Sequence, residues 1–347
     1  VGCGLAALFT VHALMESLAR WAEVRQNEYL WGQEEYLQLF TPTNYTGRGR
    51  GRILICGPSE AREDLLTDVF DRRFPGLHTY QSAHGAATLH DVTLQLAYME
   101  RVYGPSAAPD ILVLGVSPRF VANISLVAPP FIEGMNKYSP YYRVDDSVDP
   151  PRLAPKSVWE SLVARARLLL HQQPRYRAAL DGAWRALRHP ERMRDYSYRA
   201  GLTPAKYHFK KQWSAKMRQT RFLEPASHWP KTHSWDASAH RGEVIREMTQ
   251  VRDYARRNGV RLYVVNMPEI SWNRRLFDPE RYQHYLGVLH EVFGDQFLDL
   301  RTLLHDEEFQ DLVHATLAGS RMVSERVAGF VAGGLEPAPA VASSRRP

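Results

Sequence analysis

Asp110-Ile111-Leu112-Val113-Leu114-Gly115-Val116 is the stretch that most limits what this chain can fold into. Its apolar run from Ile111 to Val116 is unbroken, without the alternation of a strand that has one wet face. Such a run suits a parallel strand covered on both sides. Parallel neighbours need long crossovers, and helical periodicity on either side supplies them. Ile53-Leu54-Ile55-Cys56 reads as a second buried strand, stopped by Gly57-Pro58 and followed by a helix over residues 60–70. Residues 78–82 read as a short strand and 88–103 as a helix stopped by Gly104-Pro105. Regular order returns late in the chain. There the pattern predicts a helix over 243–258 closed by Gly259, a strand over 260–266, a helix over 279–293, a strand over 297–300 and a last helix over 317–331. Strands alternating with helices imply an α/β fold, a mostly parallel sheet with helices on both faces. No G-x-G-x-x-G or P-loop follows any of these strands, which argues against a dinucleotide or nucleoside triphosphate site.

Between residues 128 and 238 the alternation breaks. Residues 128–155 are rich in Pro, Tyr and Asp and read as irregular surface structure, 157–170 and 175–187 read as helices, and 196–235 are aromatic and basic. We read 128–238 as a helical insertion in a core domain made of 41–127 and 239–332, with 333–347 as a disordered Pro/Ala/Ser tail. The insertion also carries the charge. The chain is formally +6, yet residues 151–236 hold 18 Lys+Arg against 6 Asp+Glu, leaving 26 against 32 elsewhere. A basic segment on an otherwise acidic protein suits phosphates, an anionic glycan or a membrane surface. Residues 1–15 are apolar apart from His12, short of the roughly 20 needed to span a bilayer. They fit the end of a signal-anchor helix, the core of a signal peptide or a buried helix, and residues 16–40 continue as amphipathic helix. The two cysteines, Cys3 and Cys56, suggest neither a disulfide framework nor, with the histidines, a zinc site.

Ser59 stands on the turn between the first strand and its helix. That edge of a parallel sheet is where ligands bind, and amides opening a helix favour negative charge. Ser59 is either a nucleophile or a helix N-cap, a position serine also favours. Asp311-Leu312-Val313-His314, just before the last helix, adds a carboxylate that can orient the histidine through Nδ1 and leave Nε2 to take a proton. An Asp/His helix cap is the bland alternative. Gly85, in the small-residue loop after the second strand, falls on the same edge. Arg119, after Ser117-Pro118, suits either an anionic substrate group or a salt bridge at the strand end. His84 and His90 flank this region and read as packing or solvent-contact residues.

With these residues the chain resembles the SGNH (GDSL-like) hydrolase superfamily. Gly57-Pro58-Ser59 is similar to its first block, Gly85 to its second-block glycine and Asp311-x-x-His314 to its last. Leu114-Gly115-Val116-Ser117-Pro118-Arg119 and Val265-Asn266-Met267-Pro268 resemble a narrower branch, membrane-anchored proteins that accompany membrane-bound O-acyltransferases (MBOAT). The resemblance implies a three-layer α/β/α flavodoxin-like fold and a Ser59–His314–Asp311 triad. It also implies an oxyanion hole drawn from Ser59, Gly85, Ser117 and Asn123, with Arg119 binding substrate. The third-block asparagine, an oxyanion donor in the family, has no clean counterpart, since Ser117 holds that strand end and Asn123 comes later. The implied activity is O-acyl transfer to, or ester removal from, a cell-surface polysaccharide by a single-pass inner-membrane protein facing outward, with an MBOAT partner as acyl donor. No metal or organic cofactor is expected, because an acyl-serine carries the group. No nucleic acid is expected. A secreted esterase, or a non-catalytic accessory subunit that binds the MBOAT partner or the polymer, are the alternatives.

Overall fold

The computed structural model describes residues 51–85, 87–122, 129–148, 150–171, 237–275 and 279–334. Its centre is a five-stranded parallel sheet in the order β2-β1-β3-β6-β7. The strands are β1 (Gly51–Cys56), β2 (Leu77–Gln81), β3 (Ile111–Val116), β6 (Arg261–Asn266) and β7 (Phe297–Asp299). Every pairing in this sheet is parallel. Counting only its own strands, this is the flavodoxin-like order, which reverses direction between β1 and β3.

The unbroken apolar runs are buried on both faces because each face has its own helix layer. Leu54 and Cys56 of β1, Leu112, Leu114 and Val116 of β3 and Leu262 and Val264 of β6 point to one side. They meet α3 (Leu89–Tyr103), α7 (Ala237–Arg257) and α9 (Pro279–Phe293) there. Ile53, Ile55, Ile111, Val113, Tyr263 and Val265 point to the other side, against α1 (Ser59–Asp64), α2 (Thr67–Arg73) and α10 (Leu317–Gly333). The period of two along each strand thus divides one apolar run between two cores, and the result is a three-layer α/β/α fold.

Three expectations need correction. The helix expected over 60–70 is two helices, because the chain bends at Leu65 and Leu66 so that both leucines enter the core. The bend is held by the Leu66 amide, which donates to Ser324 Oγ of α10 at 2.8 Å. The strand expected from Ile53 begins two residues earlier, at Gly51. Residues 128–155, expected to be irregular, contain a short helix α5 (Pro129–Tyr138) and an antiparallel hairpin of β4 (Tyr142–Asp145) and β5 (Arg152–Pro155). Val144 and Leu153 turn inward from the hairpin, while Phe131 and Met135 do so from α5, all into the core of the first face. The periodicity was too short to stand out among the prolines and tyrosines.

None of the five sheet strands comes from residues 128–238. The helix read over 157–170 is α6 (Val158–His171), while 172–236, the apolar segment 1–15 and the tail 335–347 lie outside the described residues. The insertion begins near the carboxyl edge, where the Phe131 ring stacks on His84 of the loop after β2 at 5.6 Å and 6°. Among the described residues no helix is long and apolar enough to cross a membrane. Cys56 is a buried free thiol, and burial pushes its pKa up to about 12.

Candidate active site

The turn that presents Ser59 is made possible by two glycines. Gly57 sits at φ 135°, a conformation side chains rarely adopt. A Cβ on it would meet the Gly115 carbonyl oxygen at 2.5 Å, and one on Gly115 would meet the Ala61 Cβ at 2.5 Å. Helix α1 therefore lies almost directly on the carboxyl end of β3, at the point where the strand order reverses. Pro58, not Ser59, occupies the N-cap, and Ser59 is the first residue of the helix. The helix-cap alternative for Ser59 is thereby removed.

The second element is the loop ahead of α10. The Asp311 Oδ1 accepts from the amides of Val313 at 2.9 Å and His314 at 2.8 Å, and its Oδ2 accepts from His314 Nδ1 at 2.8 Å. Three donors on one carboxylate fix both the loop and the imidazole ring. Next door, the Ala315 amide donates to Asp64 Oδ1 at 3.0 Å, which ties the loop to the helix that begins at Ser59. Asn273 Nδ2, from α8 (Ser271–Arg274), holds the Leu312 carbonyl at 2.7 Å. Burial works against the Asp311 anion, but the hydrogen bond and charge of His314 with the two amides outweigh it and lower the pKa. Burial likewise works against the imidazolium of His314, yet Asp311, then Asp64 and Glu60, raise its pKa. The two shifts are opposite in sign and both favour the charged form, as an ion pair requires. With Nδ1 committed to Asp311, Nε2 is the atom free for proton transfer. It is buried and has no hydrogen-bond partner.

Ser59 and His314 share the sheet edge but are not hydrogen-bonded. The Ser59 hydroxyl donates instead to Glu60 Oε2 at 3.0 Å. Glu60, which the sequence reading passed over, is 4% exposed. Its Oε1 accepts from Arg119 Nη2 at 3.0 Å and Ser117 Oγ at 3.4 Å. Burial alone would raise its pKa, but the charges of Arg119 and His314, followed by its own amide and the Ser59 hydroxyl, bring it below the usual value. Arg119 lies in α4 (Pro118–Ala122) and its side chain is 27% exposed. Of its two readings, the strand-end salt bridge is the contact seen. Ser117 Oγ also accepts from the Phe120 amide at 3.2 Å, so this hydroxyl is committed to the helix start and to Glu60.

Behind Glu60 stands a second pair. Arg301 Nε donates to Glu269 Oε2 at 2.6 Å, and the Arg301 guanidinium lies 3.5 Å from the centre of the Tyr282 ring. Burial, with nearby Glu60 adding to it, raises the Glu269 pKa in spite of Arg301 and Arg119. The carboxyl ends of β1, β3, β6 and β7 thus carry Glu60, Arg119, Glu269 and Arg301 in alternating sign. One clue was present in sequence: opposite charges stand just after β1 and β3.

Gly85 is partly buried in the loop after β2, and a Cβ there would lie 3.4 Å from Arg62 Nη1 of α1. The neighbouring His84 amide donates to the Gly57 carbonyl at 3.2 Å, which brings this loop to the Ser59 turn. His90 is buried and held in a polar network. Its Nδ1 donates to Glu247 Oε2 at 3.1 Å and its Nε2 to the Pro151 carbonyl at 2.7 Å. Two acceptors demand two protons, and they raise its pKa against the effect of burial. Asn123 lies outside the described residues. Among the described residues no three His, Cys, Asp or Glu side chains are grouped to hold a metal ion. Compared with known proteins, the chain matches no family model and no curated protein.

Proposed function

We propose that this protein is an SGNH-type serine O-acyltransferase or esterase. It is held at the outer face of the inner membrane and acts with an MBOAT partner on a cell-surface polysaccharide. One observation carries the reading. The Asp311–His314 pair leaves a buried, unpartnered Nε2, on a loop bonded through Asp64 to the helix that starts at Ser59.

In this reading Ser59 Oγ attacks the acyl carbonyl as its proton passes to His314 Nε2. Asp311 keeps the imidazole oriented and stabilises the imidazolium. The oxyanion is met by amides of the Ser59 and Gly85 turns, since the Ser117 hydroxyl is already engaged. His314 then returns the proton to the leaving alcohol, and an acyl-serine remains. A polysaccharide hydroxyl, or water, gives its proton to His314 and attacks that ester, and His314 passes the proton to Ser59 Oγ as the acyl–serine bond breaks. Such general acid–base assistance is worth roughly 10²–10⁴-fold.

The test is hydrolysis of an activated acetyl ester by the full chain, with Ser59→Ala alongside. We expect Ser59→Ala to lose at least about 10²-fold; retained hydrolysis would remove the serine mechanism. The bond from Ser59 to Glu60 favours a second reading, an accessory subunit that binds the MBOAT partner or the polymer. Under it, cells carrying Ser59→Ala would still acylate their surface polymer. In either reading the protein fractionates with membranes, and protease outside intact spheroplasts digests it. Protection from that protease would exclude a surface substrate.

A further inference from the structure

The inference rests on the serine-enzyme reading and concerns Glu60. A carboxylate buried without partners costs several kcal/mol. Glu60 is kept ionised by Arg119 and Ser117 on Oε1 and by Ser59 on Oε2. The first two come from β3's carboxyl end and stay in place whatever Ser59 does. The third engages the proton that His314 has to receive. Meanwhile His314 Nε2 is buried with no partner. The Ser59 hydroxyl thus sits on a carboxylate that does no chemistry, while the nitrogen that would take its proton has no partner.

We propose that Glu60 is a positioning residue that latches the Ser59 hydroxyl in the resting protein and yields it to His314 when an acyl group enters. The differential contact that shifts the population is the acyl carbonyl. It favours the rotamer that aims an Oγ lone pair at its carbon, which the Glu60-bound rotamer does not. Glu60 is too weak a base to keep the proton, because Arg119 and His314 hold its pKa down. The proton therefore goes from Oγ to Nε2 as the Oγ–carbon bond forms, and from Nε2 to the leaving alcohol as the old ester bond breaks.

The latch has an electrostatic signature. His314 faces Glu60 and Asp64 from α1 and Asp311 from its own loop, and all three favour its imidazolium. Around Glu60 stand Arg119 from α4 and, near both, Glu269 after β6. Removing the Glu60 charge removes one of the three anions that face His314. A hydrogen bond to an ionised acceptor is also about twice as strong as one between neutral groups, so Gln at 60 loosens the hold on Ser59.

The experiment is Glu60→Gln in the full chain, with Glu60→Gln/Arg119→Met as a second variant that leaves no uncompensated charge. Two quantities are read against pH: the rate of covalent labelling of Ser59 by a fluorophosphonate, and the His314 ring titration by NMR. We expect both variants to label at least threefold faster on the plateau where His314 is neutral, and Glu60→Gln also to move the labelling midpoint and the His314 titration down together. Wild-type labelling rate with an unmoved midpoint overturns the latch and leaves the serine mechanism standing. No labelling of wild-type Ser59 overturns the mechanism and the latch with it. A Glu60 that acts only through its charge would move both midpoints of Glu60→Gln and leave the labelling plateau at its wild-type rate, which also overturns the latch.

Discussion

Two histidines stand at the carboxyl edge, His84 buried and His314 partly buried, and the protein treats them in opposite ways. His314 donates Nδ1 to a carboxylate, and its pKa is raised above 6.5. His84 donates Nδ1 to the Gly85 carbonyl at 3.2 Å, and burial, aided by the charge of Arg62, pulls its pKa down to about 4. Burial acts in the same direction on both rings. The difference is a formal charge at hydrogen-bond distance. Asp91 does lie 3.9 Å from His84 Nε2, but it is already bonded to the Thr88 amide. With His84 neutral near pH 7, that contact is no ion pair. Proximity to a carboxylate is not enough; the proton must be shared with it.

The largest effect should come from breaking the charged member of the comparison. Asp311→Asn keeps the shape but removes the charge, so the His314 pKa should fall and turnover of an activated ester should drop by roughly 10²–10⁴-fold. His84→Gln should leave turnover within a few-fold. Equal losses in the two variants would mean that His314 has no special standing.

Acid stability should separate the rings next. His314 has a folded pKa above its unfolded value. It adds stability that is complete below the unfolded value and is lost as pH rises through the folded one. Asp311 is depressed, so its contribution is present above the unfolded value near 3.9 and disappears as pH falls through the folded one. His84 runs against its neighbour. The unfolded chain takes a proton near 6.5 and the folded ring only near 4, so stability falls as pH drops between them. That gap corresponds to about 3 kcal/mol. Urea titrations at pH 7 and pH 4.5 should show a smaller acid loss in His84→Gln than in wild type. An identical loss would say that His84 is protonated in the folded protein.

The same pair shows how far sequence reading reaches. Continuous apolar runs identified β1, β3 and β6, because burial on both faces leaves no polar residue to confuse the pattern. Ser59, His314 and Asp311 stood out as candidates because strand ends and a three-residue spacing are local facts; the Asp311–His314 bond is seen, a Ser59–His314 bond is not. Glu60 was not, although it adjoins Ser59. An acidic residue in a helix's first turn is ordinarily solvated and complements the dipole. What buries it is the close approach of α1 to β3 across Gly57 and Gly115, and what neutralises it is Arg119, 59 residues away. Both depend on tertiary structure. The bend at Leu65-Leu66 is likewise set by Ser324, 258 residues on.

The glycines allow a finer comparison. At Gly115 an added methyl group meets Ala61 Cβ at 2.5 Å, so Gly115→Ala must push α1 off the sheet. Overpacking of this kind costs roughly 1–3 kcal/mol, and turnover should fall with it because Ser59 moves. Thermal unfolding with kinetics on the folded fraction checks this; an unchanged protein would show that α1 has room to spare.

Gly85→Ala should have the smallest effect. Its Cβ would meet only the tip of Arg62 at 3.4 Å, the far end of a flexible side chain. The backbone there is not at positive φ, so alanine brings no strain, and the N–H offered to an oxyanion is retained. Stability should stay within about 0.5 kcal/mol, and turnover on a small acetyl ester within a few-fold. The sharper reading comes from a bulky acceptor. If Gly85 is needed only for its amide, the polysaccharide should be acylated as fast by the variant as by wild type. If transfer to the polymer falls while small-ester hydrolysis holds, the absence of a side chain at 85 makes room for the sugar. That outcome would set the loop after β2, with His84 beneath it, on the acceptor side of the site.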